Sequence, residues 1–237
     1  MIPTKADIKL IKSLDKKKNR DSLSMFIVEG EKLVEEAEKS GINIIRKFLR
    51  SEIGTDTMSR ISNLSSPPPI LAIAAKPFSK PFETPQKGKF YLALDSVKDP
   101  GNAGTIIRLA EWFGAEAIFM SPDCVDIFNP KCIQSSMGST FRMKTYIIDI
   151  KELIMMSKKH TQVYGAFLDG SNIYKTDFSN GGVVVLGSES HGISNETEQL
   201  IENRITIPSF ANSGSIDSLN VAMATAVICS EIRRSFA

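Results

Sequence analysis

The chain has 237 residues, of which 42% are hydrophobic and 24% are charged, and its formal net charge is +2. These fractions are typical of a soluble globular protein and exclude a largely disordered chain. The length allows one large or two modest domains, and no apolar run approaches the roughly 20 residues of a membrane span. The first five residues contain no signal-peptide core, so we expect a cytoplasmic protein.

Cysteine and histidine are too sparse to suggest a metal centre. The three cysteines, Cys124, Cys132 and Cys229, are odd in number and form no Cys-x-x-Cys pair. The two histidines, His160 and His191, are far apart in the sequence. We therefore expect buried thiols and no metal site, and the chemistry must come from other residues.

Positive charge is concentrated near the amino terminus. Residues 1–76 carry 14 Lys/Arg against 10 Asp/Glu, whereas residues 90–237 carry 12 against 16. The most basic stretch is predicted to be the first helix and contains Lys5, Lys9, Lys12, Lys16, Lys17, Lys18 and Arg20. Such a stripe can neutralise the phosphates of a nucleic acid, but a merely solvated basic helix has the same composition.

The apolar periodicity predicts two domains. In residues 1–76, strands are predicted at 24–28, 42–49 and 70–75 and helices at 32–39 and 55–64, which is a small α/β unit. Residues 77–89 contain three prolines and are predicted to be a linker.

Residues 90–237 alternate strands with helices. Strands are predicted at 90–94, 117–120, 144–148, 162–168, 182–186 and 204–207, with helices from 103 onward and at 129–137, 151–159, 196–202 and 218–234. This alternation is typical of a mainly parallel sheet that is covered by helices on both faces.

A polar loop between the strand at 90–94 and the following helix holds Asn102 and Arg108. Ligands of open α/β sheets bind where a strand ends and a helix begins. Its glycines, Gly101 and Gly104, match neither the Gly-x-Gly-x-x-Gly dinucleotide fingerprint nor a phosphate loop. Taken alone, Asn102 could equally be an N-cap and Arg108 a solvated charge.

Two further motifs follow near the carboxyl terminus. Beyond the strand at 182–186, Gly187 and Gly192 bracket one carboxylate, Glu189. The last motif begins at Ile207-Pro208 and ends at Ser218-Leu219-Asn220, inside a helix that is rich in alanine. Each motif alone is compatible with ordinary turns and helix caps.

Together, and in this order, the three motifs resemble the SpoU (TrmH) branch of the SPOUT RNA methyltransferases. The matching residues are Asn102, Arg108, Gly187, Glu189, Gly192, Ile193, Ile207, Pro208, Ser218, Leu219 and Asn220. Residues 129–138 are also similar to the middle region of the family. Residues 26–34 look like the family's ribosomal-protein-L30e-like substrate-binding domain. The loop at 209–217 is about three residues longer than is usual in the family.

This resemblance implies an α/β fold with a parallel-sheet SPOUT domain at 90–237 that ends in a trefoil knot, preceded by a small L30e-like α/β domain at 1–76. It implies transfer of a methyl group from S-adenosylmethionine to a ribose 2′-OH of ribosomal or transfer RNA. It also implies a homodimer, with the alanine-rich last helix at the interface.

The family's functional residues map onto named positions of this chain. Those implied to be catalytic are Arg108, Asn102, Glu189, Ser218 and Asn220, and we expect Glu189 to orient Arg108 or a backbone N–H. Those implied to bind the cofactor are Leu186, Gly187, Ile207, Pro208, Ser209, Ser218 and Leu219. A guanidinium is a poor base, so we expect Arg108 to bind the adjacent phosphate of the RNA and to stabilise the developing alkoxide.

Two other functions compete with this interpretation. An RNA-binding or ribosome-assembly protein could keep the fold and lose catalysis, although the polar residues of all three motifs are present. A nicotinamide-dependent dehydrogenase is suggested only by the strand–glycine–helix pattern, and the third glycine of its fingerprint is missing.

Overall fold

A computed structural model describes residues 2–78, 81–211 and 218–236. The amino-terminal part is a three-stranded antiparallel sheet of β1 (Met25–Glu29), β2 (Ile44–Leu49) and β3 (Ile70–Ala75), in the order β1-β3-β2. Its helices are α1 (Lys5–Ser13), α2 (Lys17–Leu23), α3 (Glu31–Lys39), α4 (Arg50–Ile53) and α5 (Thr55–Ile61). The predicted strands and helices of this unit are therefore present, together with the short helix α4, which the sequence pattern did not indicate.

The basic stripe lies on two helices and not on one. Helix α1 begins at a capping box, in which Thr4 accepts from Asp7 N–H and Asp7 accepts from Thr4 N–H, and it ends at the C-cap Leu14. The chain then turns before α2 begins at Lys17. The six lysines of the stripe are exposed, but Arg20 is only 2% exposed, so the prediction that Arg20 belongs to a phosphate-binding surface is wrong.

The proline-containing segment that follows β3 lies against the second domain where it is described. The ring of Phe82 is 5.5 Å from that of Tyr146 and 5.8 Å from that of Phe119, measured between centroids. Lys144 Nζ lies 3.0 Å from a carboxylate oxygen of Glu83. These contacts anchor the segment along the surface of the larger sheet.

The second part of the chain is a six-stranded sheet in which every pairing is parallel. Its strands, in the order β6-β5-β4-β8-β7-β9, are β4 (Phe90–Leu94), β5 (Ile118–Met120), β6 (Thr145–Ile147), β7 (Val163–Asn172), β8 (Gly182–Leu186) and β9 (Asn203–Thr206). The helices are α6 (Pro100–Trp112), α7 (Pro130–Ser136), α8 (Ile150–Ser157), α9 (Asn195–Glu198) and α10 (Val221–Ser235). The predicted mainly parallel α/β sheet is confirmed.

Side chains of each strand alternate between two buried layers, as a sheet covered on both faces requires. On one face, Leu92 and Leu94 of β4 lie in a cluster with Ile106 and Ile107 of α6 and Ile228 of α10. On the other face, the neighbouring residues of β4 and β8 pack against α8, in a cluster that includes Tyr91, Ala93, Val183, Val185, Leu153 and Ile154. All three cysteines are buried and unpaired, as expected.

Element ends differ from the sequence pattern where side chains cap the backbone. The last helix begins at Val221 and not at 218, because the side chain of Asn220 accepts from the N–H groups of Ala222 and Met223. Asn220 is therefore the N-cap and does not lie inside the helix as the pattern predicts. Helix α9 ends at Glu198, four residues before the predicted end. The loop predicted to be long at 209–217 lies mostly outside the described residues.

Candidate functional site

The order of the strands reverses between β4 and β8, and the candidate site lies at the carboxyl ends of these two strands. From β4 the chain proceeds outward through β5 and β6, and then crosses to β7 and β8 on the other side. The strand ends are joined directly, because Asp95 N–H donates to Leu186 O at 2.8 Å. In open parallel sheets a crevice forms at such a reversal, and ligands bind there.

The first motif is positioned by the start of α6. Asp99 is the N-cap: its Oδ1 accepts from Asn102 N–H at 2.8 Å, and Pro100 occupies the first helical turn. Asn102 therefore lies in the first turn and is not the N-cap, which leaves its side chain free for other bonds. The Asn102 N–H, followed by the Lys131 ammonium, lowers the pKa of the Asp99 carboxyl below its usual value.

The second motif is a tight turn after β8. Ser188 and Gly192 exchange backbone hydrogen bonds of 2.9 and 3.0 Å, which close the turn. A Cβ at Gly187 would lie 2.0 Å from Gly192 C, so only glycine fits there. Gly192 has φ +68°, a left-handed conformation that also favours glycine. The turn projects Glu189 away from the sheet, and Glu189 is exposed.

Asn102 joins the three motifs. Its Nδ2 donates to Glu189 Oε1 at 2.6 Å, across 87 residues of sequence. Its Oδ1 accepts from Asn220 Nδ2 at 3.0 Å, across 118 residues. The amide of Asn102 thus has a carboxylate acceptor on one side and an amide donor on the other, which fixes its orientation. Glu189 was expected to orient Arg108 or a backbone N–H, but in the described part of the chain its bond goes to Asn102.

A second pair of hydrogen bonds, which the sequence motifs did not indicate, connects the residue after β4 to the segment that follows the Glu189 turn. Asp95 is 5% exposed, and its Oδ2 accepts from Ser194 N–H at 2.9 Å and from Ser194 Oγ–H at 2.8 Å. Ser194 occupies the N-cap position of α9, but its side chain makes no cap bond. A carboxylate directly after a buried strand was the one signal in the sequence that could have identified Asp95.

Arg108 lies six residues after Asn102 on α6, which is a rise of about 9 Å along the helix. Its side chain is exposed and makes no hydrogen bond or ion pair within residues 2–78, 81–211 and 218–236. Ser218 and Leu219 are likewise exposed, and Leu219 is 52% accessible. The structure therefore joins Asn102, Glu189 and Asn220 directly, whereas it leaves Arg108 and Ser218 without a described bond to them.

The residues expected to bind the cofactor follow two strands of the same sheet. Leu186 is buried at the end of β8, and Gly187 begins the tight turn. Ile207 and Pro208 are half-buried directly after β9, and Ser209 is exposed. Strands β8 and β9 are separated by β7 alone, so their carboxyl ends lie roughly 10 Å apart along one edge of the sheet.

Comparison with known families assigns both parts of the chain. The model of the SpoU rRNA methylase family matches residues 89–230, and the model of an MRM3-like substrate-binding domain matches residues 5–80. The chain belongs to the SpoU rRNA methylase family. The resemblance stated from the three motifs is thereby confirmed.

Individual SpoU relatives cover nearly the whole chain. The 23S rRNA (guanosine(2553)-2′-O)-methyltransferase RlmP of Bacillus subtilis is 28% identical over 94% of this chain and 94% of its own. A crystal structure of an AdoMet-bound rRNA methyltransferase from Sinorhizobium meliloti is 28% identical, with a TM-score of 0.87 over 100% of this chain and 98% of that one. A TrmH-family protein from Porphyromonas gingivalis is 34% identical, with a TM-score of 0.84 over 99% of both chains.

Other kinds of site are not found in the described part of this SpoU chain. No group of three or more His, Cys, Asp or Glu residues there is arranged to hold a metal ion. In the same residues, each helix is too short or too polar to cross a membrane.

Proposed function

We propose that this protein transfers the methyl group of S-adenosylmethionine (AdoMet) to a ribose 2′-OH of structured RNA. The observation that carries the proposal is Asn102, whose side chain bonds to Glu189 and Asn220 and so unites residues from all three motifs. A set of polar side chains that is held in fixed orientation at the carboxyl edge of a parallel sheet is suited to positioning a reacting group. Family membership and the relatives that are rRNA 2′-O-methyltransferases support this reaction.

The residues at the carboxyl ends of β8 and β9 fit an AdoMet site. Gly187 lets the chain fold back on itself directly after β8, since a Cβ there would lie 2.0 Å from Gly192 C, and the resulting tight turn stands at the carboxyl end of the strand. Ile207 and Pro208 are half-buried and supply apolar surface and backbone carbonyl groups, and Ser209, Ser218 and Leu219 are accessible. Leu186 is buried at the end of β8, where its carbonyl oxygen accepts from Asp95 N–H. When bound, AdoMet supplies an electrophilic methyl group on a sulfonium. We propose that these seven residues hold it.

Arg108 is proposed to act on the RNA. Its guanidinium is exposed and free of bonds to described residues, so it is available to a phosphate or to a 2′ oxygen. Because a guanidinium stays protonated, Arg108 stabilises negative charge on the 2′ oxygen as the proton leaves, and a phosphate oxygen or a water accepts that proton. Positioning of the oxygen in line with the methyl group supplies much of the remaining acceleration.

Asn102, Glu189 and Asn220 are proposed to keep this arrangement rigid. Glu189 accepts one amide hydrogen of Asn102 and thereby fixes which side of the amide is the donor. Asn220 ties the start of α10 to the start of α6. We propose that Ser218, two residues before Asn220, fixes the loop that leads into α10.

The amino-terminal domain is proposed to bind the RNA. The exposed lysines of α1, of α2 and of the turn between them are Lys5, Lys9, Lys12, Lys16, Lys17 and Lys18. They contact phosphates and so contribute affinity rather than sequence specificity. We keep the domain bounds 1–76 and 90–237, with 77–89 between them, as proposals.

The carboxyl-terminal segment is proposed to form the trefoil knot of the family. The chain leaves the sheet at its outer strand, β9, and Asn220, the N-cap of the next described helix, is bonded to Asn102. The described chain thus leaves an edge strand and is next bonded beside the middle of the sheet, which supports a threaded segment that ordinary folding rules would not suggest.

A homodimer is proposed through α6 and α10. Trp112 at the end of α6 is 81% exposed, and Met223 and Leu219 at the start of α10 are 62% and 52% exposed. Large apolar side chains exposed along two adjacent helices indicate an interaction surface. A second copy of this chain is the proposed occupant. The proposed location is the cytoplasm.

The decisive test in cells is a map of 2′-O-methylated nucleotides in ribosomal and transfer RNA, with and without the gene. The proposal predicts that one or a few ribose methyl groups disappear and return with the wild-type gene but not with Arg108→Lys. Loss of a ribosome-assembly step with an unchanged methylation map would instead favour the catalytically inactive RNA-binding protein.

A further inference from the structure

The two domains share a buried ion pair. Arg20 of α2 donates its Nε–H to Asp126 Oδ2 at 2.7 Å, and the two side chains are 2% and 8% exposed. The same guanidinium donates to the carbonyl oxygens of Leu14 and Asp15, each at 2.9 Å. Separating such a pair leaves a charge uncompensated away from water, so the pair strongly favours a single arrangement of the two elements.

Apolar side chains of the second domain complete the core of the first. The ring of Phe128 lies 4.7 Å from that of Phe26 on β1, and Phe128 and Ile133 are members of the buried cluster of the amino-terminal domain. Close by, Gln134 of α7 donates to Glu29 O at 2.8 Å. The amino-terminal domain therefore closes its core only with residues 126–134 in place.

Helix α7 also contacts α6 at the level of the backbone. A Cβ at Gly104 would lie 2.0 Å from Ser135 Oγ and 2.4 Å from the carbonyl oxygen of Cys132, so no side chain separates the two helices. Helix α6 carries Asn102 and Arg108. One short helix thus touches the amino-terminal domain and the helix that holds the proposed catalytic arginine.

We propose that residues 126–136 hold the RNA-binding domain at a fixed distance and orientation from Arg108, and that Asp126 is a positioning residue for methyl transfer. The inference rests on the proposed function, because it concerns how RNA held by one domain reaches the other. A proline-containing connection alone would let two domains move independently. A shift of about 1 Å at a reacting centre can lower a rate about 100-fold, so a fixed arrangement matters for catalysis.

The matched variants are Asp126→Asn and Glu38→Gln. Asp126→Asn removes the charge opposite Arg20 but keeps the Oδ1 acceptor, which receives Phe128 N–H at 3.1 Å. Glu38→Gln breaks the exposed ion pair of Glu38 with Lys47, which lies within the amino-terminal domain. Both variants of the full chain are compared with the wild type for KM and kcat on RNA and for AdoMet affinity by calorimetry.

Distances between the domains are measured independently of activity. Nitroxide labels on Ser59→Cys and Met155→Cys, both exposed positions, report the distance between α5 and α8 by pulsed electron resonance. For Asp126→Asn we expect a broader distance distribution and a fall of at least tenfold in kcat/KM for RNA, with AdoMet affinity within twofold of the wild type. Glu38→Gln should change none of these quantities.

An unchanged distance distribution in Asp126→Asn, or a broadened one with an unchanged kcat/KM for RNA, would overturn the proposal. Should Asp126→Asn fail to fold, Phe128→Leu, which weakens the apolar contact and keeps the ion pair, is measured in the same way and with the same criteria. If the wild type methylates no RNA, the proposed function fails, whereas a broad wild-type distance distribution refutes the fixed arrangement itself.

Discussion

Asn220 donates an amide hydrogen to Asn102 Oδ1 at 3.0 Å, and this bond between residues 118 positions apart joins the start of α10 to the start of α6. The same Asn220 side chain caps α10 through its Oδ1. The oxygen of this side chain therefore caps the helix, and its nitrogen holds the side chain of Asn102 in its orientation. Variants can separate these roles.

Asn220→Asp retains the oxygen that caps α10 and removes the donor to Asn102. Aspartate is as good an N-cap as asparagine, so the free energy of unfolding should change by less than about 1 kcal/mol. Methyl transfer should fall about 100-fold, because Asn102 then faces an acceptor and loses its orientation. Turnover and thermal melting are the two measurements. Asn220→Ala serves as the control that loses both roles, with an additional cost of about 1 kcal/mol in stability.

Much of this architecture could be predicted from the sequence, because the central strands of the second domain are continuous apolar runs that alternate with helix-forming segments. Strands β4 and β8 have the predicted ends, and the other strands of the parallel sheet begin and end within a few residues of theirs. The contact of Asn102 with Glu189 could not be predicted from spacing alone. It depends on strands β4 and β8 lying side by side, which is a property of strand order and leaves no local pattern in the sequence.

Arg20 shows the opposite case, in which a local pattern misleads. Its neighbours in sequence are solvated lysines, and a charge count places it with them. Arg20 pairs with the buried carboxylate of Asp126, which lies 106 residues away, so the composition of the local segment does not indicate this ion pair. Asp95 was missed for the same reason, since its partner Ser194 is brought to it by the fold.

Arg108→Lys should lower turnover at least 100-fold and leave AdoMet affinity within twofold of the wild type. Lysine keeps the positive charge but cannot present two parallel N–H donors to a phosphate or to a developing alkoxide. Calorimetry and single-turnover methyl transfer measure the two effects separately. Arg60→Lys, an exposed arginine of the other domain, is the matched control. Loss of AdoMet binding in Arg108→Lys would contradict the assigned role.

Gly187→Ala should abolish AdoMet binding or weaken it more than tenfold. The added methyl group would lie 2.0 Å from Gly192 C, so the turn that carries Glu189 must open. Gly192→Ala meets no atom within 4 Å and suffers only the strain of φ +68°, about 1 kcal/mol. Calorimetric AdoMet affinity distinguishes the two variants. If both variants lost the same AdoMet affinity, the backbone conformation of the turn, and not the steric clash at Gly187, would determine binding.

Glu29→Gln should stabilise the protein at neutral and higher pH. Glu29 is 3% exposed, its Oε2 has no hydrogen-bond partner, and burial raises the pKa of its carboxyl above the usual value. A raised pKa means that the stability of the wild type is greatest below the unfolded-state pKa and is lost as the pH rises through the folded-state value.

The variant lacks this loss, so its advantage in the free energy of unfolding should be largest at pH 8 and should shrink towards pH 4. Melting temperatures across this range measure the effect. The exposed neighbour provides the control, because Glu31→Gln should show no such pH dependence. If the difference in melting temperature between Glu29→Gln and the wild type were the same at every pH, the pKa of the Glu29 carboxyl would not change on folding.

Trp112→Glu should convert the proposed dimer into a monomer. A carboxylate in place of the 81% exposed indole would have to be buried without a partner in the interface. Sedimentation at micromolar concentration measures the mass of the particle. Ile147→Glu, a 62% exposed position on the edge strand β6, should leave it unchanged. A wild type that sediments as a monomer at all concentrations would refute the dimer.

The most direct test is methyl transfer in vitro. Purified protein is incubated with AdoMet carrying a labelled methyl group and with total RNA from a strain that lacks the gene. The account predicts label in 2′-O-methylated nucleosides, recovered as alkali-resistant dinucleotides, and predicts that Arg108→Lys and Asn102→Ala reduce it at least 100-fold while AdoMet still binds. Label found on a base instead of a ribose, or no transfer despite AdoMet binding, would contradict it.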